Sequence, residues 1–444
     1  MKPKNARAAA LLSLLDMESG RYPEEALNEY GDGLARRDRA LANALVFGIL
    51  RYRNSLDWIL SRFLKKPEKP LDPVIRAVLR LGFFQLIHLD RVPASAAVNE
   101  SVNLAREYGP PGSQNLVNGI LRAVTRTENL PDPQEADLSP VKKLSLTESH
   151  PEWLVDRWVK QFGLEETSAL LKANNQIPPL TLRINPTGKS RQELIATLKD
   201  HVDQIKPTTY SPEGVEVYGS TGSITQLPGY KEGFFTVQDE ASQMIAYLVR
   251  PGNGEKVLDA CAGLGGKALH LACLGSGAVW ALDTDLNRLH QIRPEADRLG
   301  IGPLAVVQGD LLNCPFQPES FQAVLVDAPC SNLGIIRRRP DVKWLKSASD
   351  PERMAKLQLK LLEAASRLVS PRGRLVYSVC TITPEETQGC VNAFRLQNEN
   401  FDLVSALNFL PSSAQPLVGT DGTLQTWPHK HRMDGFFAAV LIKS

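Results

Sequence analysis

Apolar residues in the first 130 positions recur at helical spacing. Leu11, Leu12, Leu14 and Leu15 form the apolar face of a first helix, and Leu41, Leu45, Ile49 and Tyr52 that of a helix over about 38–52. Asp72-Pro73 supplies an N-cap followed by a proline at the first helical position. Val74, Ala77, Val78, Leu81, Phe84 and Leu86 line the helix behind it. Two more helices cover 96–108, which stops at Gly109-Pro110-Pro111, and 115–127. Such segments bury one core as a helical bundle. The Pro- and acid-rich stretch 130–140 reads as a linker.

The pattern then changes. A helix over 154–162 opens at His150-Pro151-Glu152-Trp153. Residues 181–185 are strand-like, 191–200 helical, and a short β-type run follows at 215–217, together a small α+β module. From about Gln238 strands and helices alternate. The strands fall at 256–259, 278–283, 304–308, 323–327 and 374–378. Helices fit between them, notably 285–299 (interrupted by Pro294) and 351–369. That alternation predicts a doubly wound parallel sheet. The expected organisation is an all-α bundle over 1–140, the α+β module over 141–235 and an α/β domain over 236–444.

Composition changes this picture little. Across 444 residues, 51 Lys and Arg against 49 Asp and Glu leave a formal charge of +2. A uniformly basic coat is excluded, but a local basic stripe suffices for nucleic acid. No apolar run approaches the ~18–20 residues of a membrane span. Met1 to Leu15 superficially resembles a signal peptide, but acids follow without a small-x-small cleavage site. A cytoplasmic protein is expected. The six cysteines all lie from Cys261 onward and none forms a close C-x-x-C pair, so free thiols are expected and no metal.

Three stretches carry chemistry. In Val257-Leu258-Asp259-Ala260-Cys261-Ala262-Gly263-Leu264-Gly265-Gly266-Lys267 a strand runs into glycines and then a helix, which lets a ligand approach the backbone closely. Asp283 closes the next strand and is placed to accept from ribose hydroxyls. Gly309-Asp310 closes the third and is placed to hold an adenine. A dinucleotide enzyme or a plain tight turn would also explain the glycines; acids at the ends of three strands favour a nucleoside. Without a Lys-Ser/Thr pair the turn is no P-loop. In the second stretch, Val324-Leu325-Val326-Asp327-Ala328-Pro329-Cys330-Ser331, a strand delivers an acid and a thiol to the same edge. In the third, Leu375-Val376-Tyr377-Ser378-Val379-Cys380-Thr381, a strand delivers a second thiol. Either Cys alone reads as a small buried hydrophobe; two at neighbouring strand ends favour function.

One reaction gives a reason for this set. Cytosine C5 is a poor nucleophile. A thiolate added at C6 turns C5 into an enamine-like carbon. Charge then spreads toward N3, where a carboxyl group is needed, and afterwards the C5 proton and the thiol must leave.

These motifs resemble those of the RNA m5C methyltransferases of the RsmB (Sun/Fmu) family, across nearly the whole chain. The resemblance implies a Rossmann-like class I methyltransferase domain that binds S-adenosylmethionine through Cys261, Ala262, Gly263, Leu264, Gly265, Gly266 and Lys267 and through Asp283, Asp310 and Asp327. It implies that Cys380 is the nucleophile, that Cys330 serves product release, and that Asp327 and Lys267 belong to the catalytic set. The first 130 residues, notably Val98-Asn99-Glu100 and Leu116–Leu121, resemble the NusB RNA-binding fold. The middle segment resembles an RRM-like extension. The implied substrate is 16S ribosomal RNA, with neither DNA nor membrane as partner, and the chain is expected to be a monomer. Another RNA, either tRNA or 23S rRNA, is an alternative substrate. A DNA cytosine-C5 methyltransferase and a non-catalytic NusB-like assembly factor are the alternative functions.

There are departures from the family pattern. Gly263-Leu264 stands where Ala-Pro is usual and is expected to loosen the turn, Asn332-Leu333 where Gly-Thr is usual, and Val379 where Thr is usual. Arg337-Arg338-Arg339-Pro340-Asp341-Val342-Lys343-Trp344 and Asp434-Gly435-Phe436-Phe437 also match family signatures. Arg337, Arg338, Arg339 and Lys343 are placed to grip RNA phosphates, although a solvated charge run explains them equally. Phe235, Gln238, Asp239 and Glu240 either cover the cofactor or simply start a helix. Arg36, Arg37, Arg39, Arg51 and Arg53 are candidates for an RNA-facing stripe. His429 and His431 are expected to be surface or satisfied structural residues and to bind no metal.

Overall fold

The computed structural model describes residues 3–186, 188–219, 222–275, 277–302 and 304–444. Its contacts divide the chain into two compact units, one of residues 1–176 with 339–348, the other of 177–338 with 349–444.

The first unit is helical. Helices Ala6–Glu18, Arg36–Ser61, Pro73–His88, Ala94–Tyr108 and Ser113–Val124 close around Leu11, Leu45, Ile49, Val78, Leu81, Phe83, Val117 and Leu121. The predicted cap holds: the Asp72 carboxylate accepts from the Val74 amide at 2.9 Å, ahead of Pro73. The expected linker is followed at once by Pro140–Thr147, Glu152–Phe162 and Leu164–Asn174. These helices pack with the first unit, whose contacts extend to Gln176. A short insert from the distant part of the chain completes the unit. In it, the buried Lys343 ammonium donates to the Arg51 and Ser149 carbonyls at 2.8 and 2.9 Å and to Asn175 Oδ1 at 3.0 Å. Trp344 donates to the Leu50 carbonyl at 2.7 Å.

The second unit holds two sheets. Strands β1 (Leu180–Ile184), β2 (Gln204–Pro207), β3 (Gly214–Tyr218) and β4 (Phe235–Val237) pair antiparallel in the order β2-β3-β1-β4. The larger, eight-stranded sheet contains β5 (Lys256–Asp259), β6 (Ala278–Asp283), β7 (Leu304–Gln308), β8 (Phe321–Asp327), β9 (Val369–Val379), β10 (Phe401–Val404), β11 (Leu424–Gln425) and β12 (Phe437–Lys443). Its order is β10-β12-β9-β8-β5-β6-β7, with β11 on β12.

The five predicted strands are β5 to β9, and they are mutually parallel. The sheet is nonetheless mixed, because β12 runs antiparallel between β9 and β10. Alternation along β8 serves two cores: Ala323 and Leu325 face one, Val324 and Val326 the other. The helix expected over 285–299 is two, Leu286–Leu289 and Ile292–Leu299. The break precedes Pro294, which sits in the first turn of the second helix, where its missing amide costs little.

The basic run that follows Cys330 does not form the expected phosphate-facing surface. Arg337 and Arg338 turn inward and pair with Asp239 and Asp434: Arg337 Nε lies 2.7 Å from Asp434 and Arg338 Nε 2.9 Å from its other oxygen. Both guanidinium groups also reach Asp239. Arg339 pairs with Asp341 and Glu24 within the first unit, and Lys343 is buried there. A buried charge is stable only where a partner or a full set of hydrogen bonds replaces water, and this run supplies one half of such a set. Asp239 also caps the helix Glu240–Val249, and Glu240 accepts from the Ser211 amide at 2.8 Å, so these acids hold loops. Of the proposed stripe, Arg36, Arg37 and Arg39 are exposed, whereas Arg51 is buried and Arg53 stacks 5.1 Å over Trp344.

Asp239→Ala should cost about 3 kcal/mol, because it removes one of the two carboxylates shared by the buried Arg337 and half-buried Arg338 guanidinium groups. Urea unfolding of the full chain measures this, and a loss below about 1 kcal/mol would count against a structural role for the pair.

Candidate active site

The chain runs from β5 through β6 and β7, then returns to β8 on the other side of β5. Ligands bind outside the carboxyl ends of strands at such a reversal. Asp259 ends β5, Asp283 ends β6 and Asp327 ends β8, while Gly309-Asp310 follows β7. The turn after β5 is held by the Ala262 amide on the Leu282 carbonyl at 2.9 Å and the Gly265 amide on the Ala262 carbonyl at 2.8 Å. Asp283 accepts from the Gly263 amide at 2.8 Å and the Asp285 amide at 2.9 Å. Asp310 accepts from the Leu312 amide at 2.9 Å.

Gly263 sits at φ +55°, with open space where a Cβ would stand. Glycine at this position therefore relieves strain that a side chain would bear, and does not merely loosen the turn. Leu264 is exposed. Asp259 is buried, and neither carboxyl oxygen has a hydrogen-bond partner among the described residues. Burial, with the nearby Asp327 charge, pushes its pKa up to about 7.

The loops after β8 and β9 bring the two thiols together. Cys330 Sγ and Cys380 Sγ lie 3.2 Å apart, and both cysteines are free. Asn332 Oδ1 lies 3.0 Å from the Cys380 sulfur and 3.3 Å from that of Cys330. Asn332 itself takes φ +64°, a conformation asparagine tolerates better than most residues. Beside the thiols, Lys267 Nζ donates to Asp327 Oδ2 at 2.6 Å and lies 5.4 Å from the Phe436 ring centroid. Ser378 donates to Asp327 Oδ1 at 2.7 Å. Burial opposes the Lys267 charge, but Asp327 and Asp259 outweigh it and raise its pKa. The Cys380 thiol is pushed well up, first by its hydrogen bond with Cys330, then by burial and the Asp327 charge, against the pull of Lys267.

Residues 246–442 match the family of 16S rRNA methyltransferases RsmB/F, residues 4–126 the NusB family, and residues 150–222 the ferredoxin-like domain of RsmF/B-like methyltransferases. A probable ribosomal RNA small subunit methyltransferase B of Synechocystis sp. is 35% identical over 449 residues, covering 99% of this chain and 100% of that protein. Its namesake in Bacillus subtilis is 34% identical over 454 residues, covering 100% of both. The chain belongs to the RsmB/F family. The crystal structure of PH0851 matches it at a TM-score of 0.82 and 26% identity, over 100% of this chain and 99% of that one.

Within this RsmB/F protein the structure gathers Asp327, Cys330, Cys380 and Lys267 into one site, and it places Cys261 to Gly266, Asp283 and Asp310 along the adjoining edge. Three parts of the site went unread in the sequence. Ser378 fixes the carboxylate, and Asn332 bridges the thiols. Gly334 approaches Gly435 so closely that a Cβ would stand 1.9 Å from the Gly435 carbonyl oxygen. That approach carries two hydrogen bonds, the Gly334 amide to the Cys380 carbonyl at 3.1 Å and the Gly435 amide to the Gly334 carbonyl at 2.8 Å. A glycine at each position was the available signal. Among the described residues no group of three or more His, Cys, Asp or Glu is placed to hold a metal ion, and no helix is long and apolar enough to cross a membrane.

A thiol whose pKa is raised stays protonated at neutral pH, and its reactivity follows the small thiolate fraction. Alkylation of Cys380 by iodoacetamide in the substrate-free protein, followed by peptide mapping, should speed up about tenfold per pH unit from about pH 7 to about pH 9. A plateau below about pH 8 would contradict the raised value.

Proposed function

We propose that this protein methylates C5 of a cytosine in 16S rRNA with S-adenosylmethionine as donor, Cys380 acting as nucleophile and Cys330 as release group. The observation that carries this reading is the pair of thiols 3.2 Å apart beside the Lys267–Asp327 pair, in a chain of the RsmB/F family.

The strand ends fit the donor. The open space at Gly263 admits a ligand against the backbone, at the strand end that the buried Asp259 closes. Asp283 is assigned the ribose hydroxyls and Asp310 the adenine edge. When bound, S-adenosylmethionine supplies an electrophilic methyl group.

The chain's own residues do the rest. The target base must be unpaired or flipped out, because sulfur attacks C6 perpendicular to the ring. Cys380 gives up its proton to solvent, and as the thiolate bonds to C6, electron density moves toward C5 and N3. The Lys267–Asp327 pair, whose charges both act on the Cys380 thiol, is assigned the N3 edge. Ser378 and Lys267 each occupy one Asp327 oxygen and so hold the carboxylate in place. After C5 is substituted, Cys330 takes the C5 proton. The electron pair of that C–H bond restores the ring double bond, and the C6–S bond breaks to return the Cys380 thiolate. The NusB-like helical segment is assigned to holding the ribosomal RNA, with exposed Arg36, Arg37 and Arg39 as its phosphate contacts.

Cys380→Ala should lower methyl transfer to 16S rRNA by about a thousandfold or more. Cys330→Ala should instead leave a covalent protein–RNA adduct on denaturing gels. Retained activity in the first variant overturns the nucleophile assignment, and no adduct in the second overturns the release role.

A further inference from the structure

Glu386 is fully buried, and the reaction proposed above gives it no task. Its Oε2 accepts from the Ser331 amide at 2.8 Å and from the Gln358 side-chain amide at 2.9 Å. Its Oε1 accepts from the Thr383 hydroxyl at 2.8 Å and lies 3.4 Å from the Thr381 hydroxyl. Ser331 directly follows Cys330, and Thr381 directly follows Cys380. One carboxylate thus ties down the residue after each thiol. A second link runs beside it, since Ser331 Oγ and Thr381 Oγ1 lie 2.8 Å apart.

The surroundings fix the carboxylate in turn. The Tyr377 hydroxyl, on β9, lies 2.7 Å from the Glu386 carbonyl oxygen and 3.0 Å from Gln358 Oε1. The Gln358 amide also reaches the Pro329 carbonyl at 2.9 Å, one residue before Cys330. Gln358 lies on the helix Asp350–Ser366, so the clamp is anchored to a helix and a strand.

We propose that Glu386 is a positioning residue that sets the spacing of the Cys330 and Cys380 sulfurs by joining their loops. The proposal rests on the thiol roles assigned under Proposed function. The donor set makes it specific. The Ser331 backbone amide cannot reverse, and the Pro329 carbonyl keeps the Gln358 NH2 group turned this way, so Oε2 must remain an acceptor. Thr381 and Thr383 present hydroxyls that can turn and accept. Glutamine therefore fits, with its carbonyl oxygen toward Ser331 and its amide toward the threonines. Methionine has the same length but leaves both amide donors unsatisfied.

Phenylarsine oxide reads the spacing without RNA or cofactor. It gives up its oxygen as water and forms one bond to each of two neighbouring thiols, so a chelate forms only where both sulfurs meet one arsenic. Wild-type protein and Glu386→Gln should each give a one-to-one chelate mapping to Cys330 and Cys380. Glu386→Met should bind the arsenical about tenfold more weakly or worse, while iodoacetamide still reaches Cys380. With 16S rRNA and the methyl donor, Glu386→Met should accumulate the covalent adduct because Cys330 is misplaced, and Glu386→Gln should turn over. Should Glu386→Met fail to fold by circular dichroism, Thr381→Val decides, since it removes one cross-loop hydroxyl at constant volume and should weaken the chelate by several-fold. A wild-type chelate and no adduct in the substituted protein overturns the proposal. Absence of adduct in Cys330→Ala as well overturns the thiol roles instead, leaving the arsenical result to judge the clamp alone.

Discussion

The parallel pairing of β8 with β9 is the constraint on which the site depends. Its register sets Asp327 opposite Ser378 and Val326 opposite Tyr377, and the Ala328 amide extends the ladder onto the Ser378 carbonyl at 2.9 Å. Cys330 lies three residues past Asp327, and Cys380 two past Ser378, so the register alone carries both thiols to one edge. A slip of one residue would turn every side chain on β9 to the other face. Burial on both faces forbids that slip. Val376 faces one core while Leu375 and Tyr377 face the other, so neither face tolerates exchange.

Around that ladder, buried charges come in matched sets. Glu386 is answered by two amides and two hydroxyls, and Asp239 and Asp434 by two guanidinium groups. The Asp327 oxygens are each answered by one donor. Such networks are stable when complete and costly when broken, which is why they hold loops that have no regular structure of their own. Asp259 stands apart. Its buried carboxyl has no described hydrogen-bond partner, and it lies at the strand end assigned to the methyl donor. The site thus combines a hydrogen-bonded frame with a buried acid at the strand end assigned to the methyl donor.

Local pattern was enough to find much of this. The bounds of β5, β6 and β7 are those expected from the sequence, and Cys330 and Cys380 stand where their strands deliver them. Features set by distant partners were not legible. Arg337 looks like a phosphate ligand because its acids lie 98 and 97 residues away along the chain. Glu386 looks like a surface acid because Ser331 is 55 residues before it. The antiparallel β12 was missed because its run Phe437–Lys443 follows only short pieces, the two-residue β11 and the four-residue helix Pro428–His431, too short to mark a crossover. Lys343 reads as a solvated charge, yet its three acceptors come from parts of the chain far earlier in sequence. Periodicity reports which face is buried; it does not report what a buried polar group meets.

The division of labour between the two thiols is the account's central claim, and one trapping measurement addresses it directly. A 16S rRNA fragment carrying 5-fluorocytidine is incubated with the full-length protein and S-adenosylmethionine. Fluorine at C5 cannot leave as a proton does, so the covalent adduct persists, and digestion with mass spectrometry identifies the linked peptide. The account predicts a link through Cys380 alone. A link through Cys330, or none in protein that methylates unmodified RNA, would contradict it.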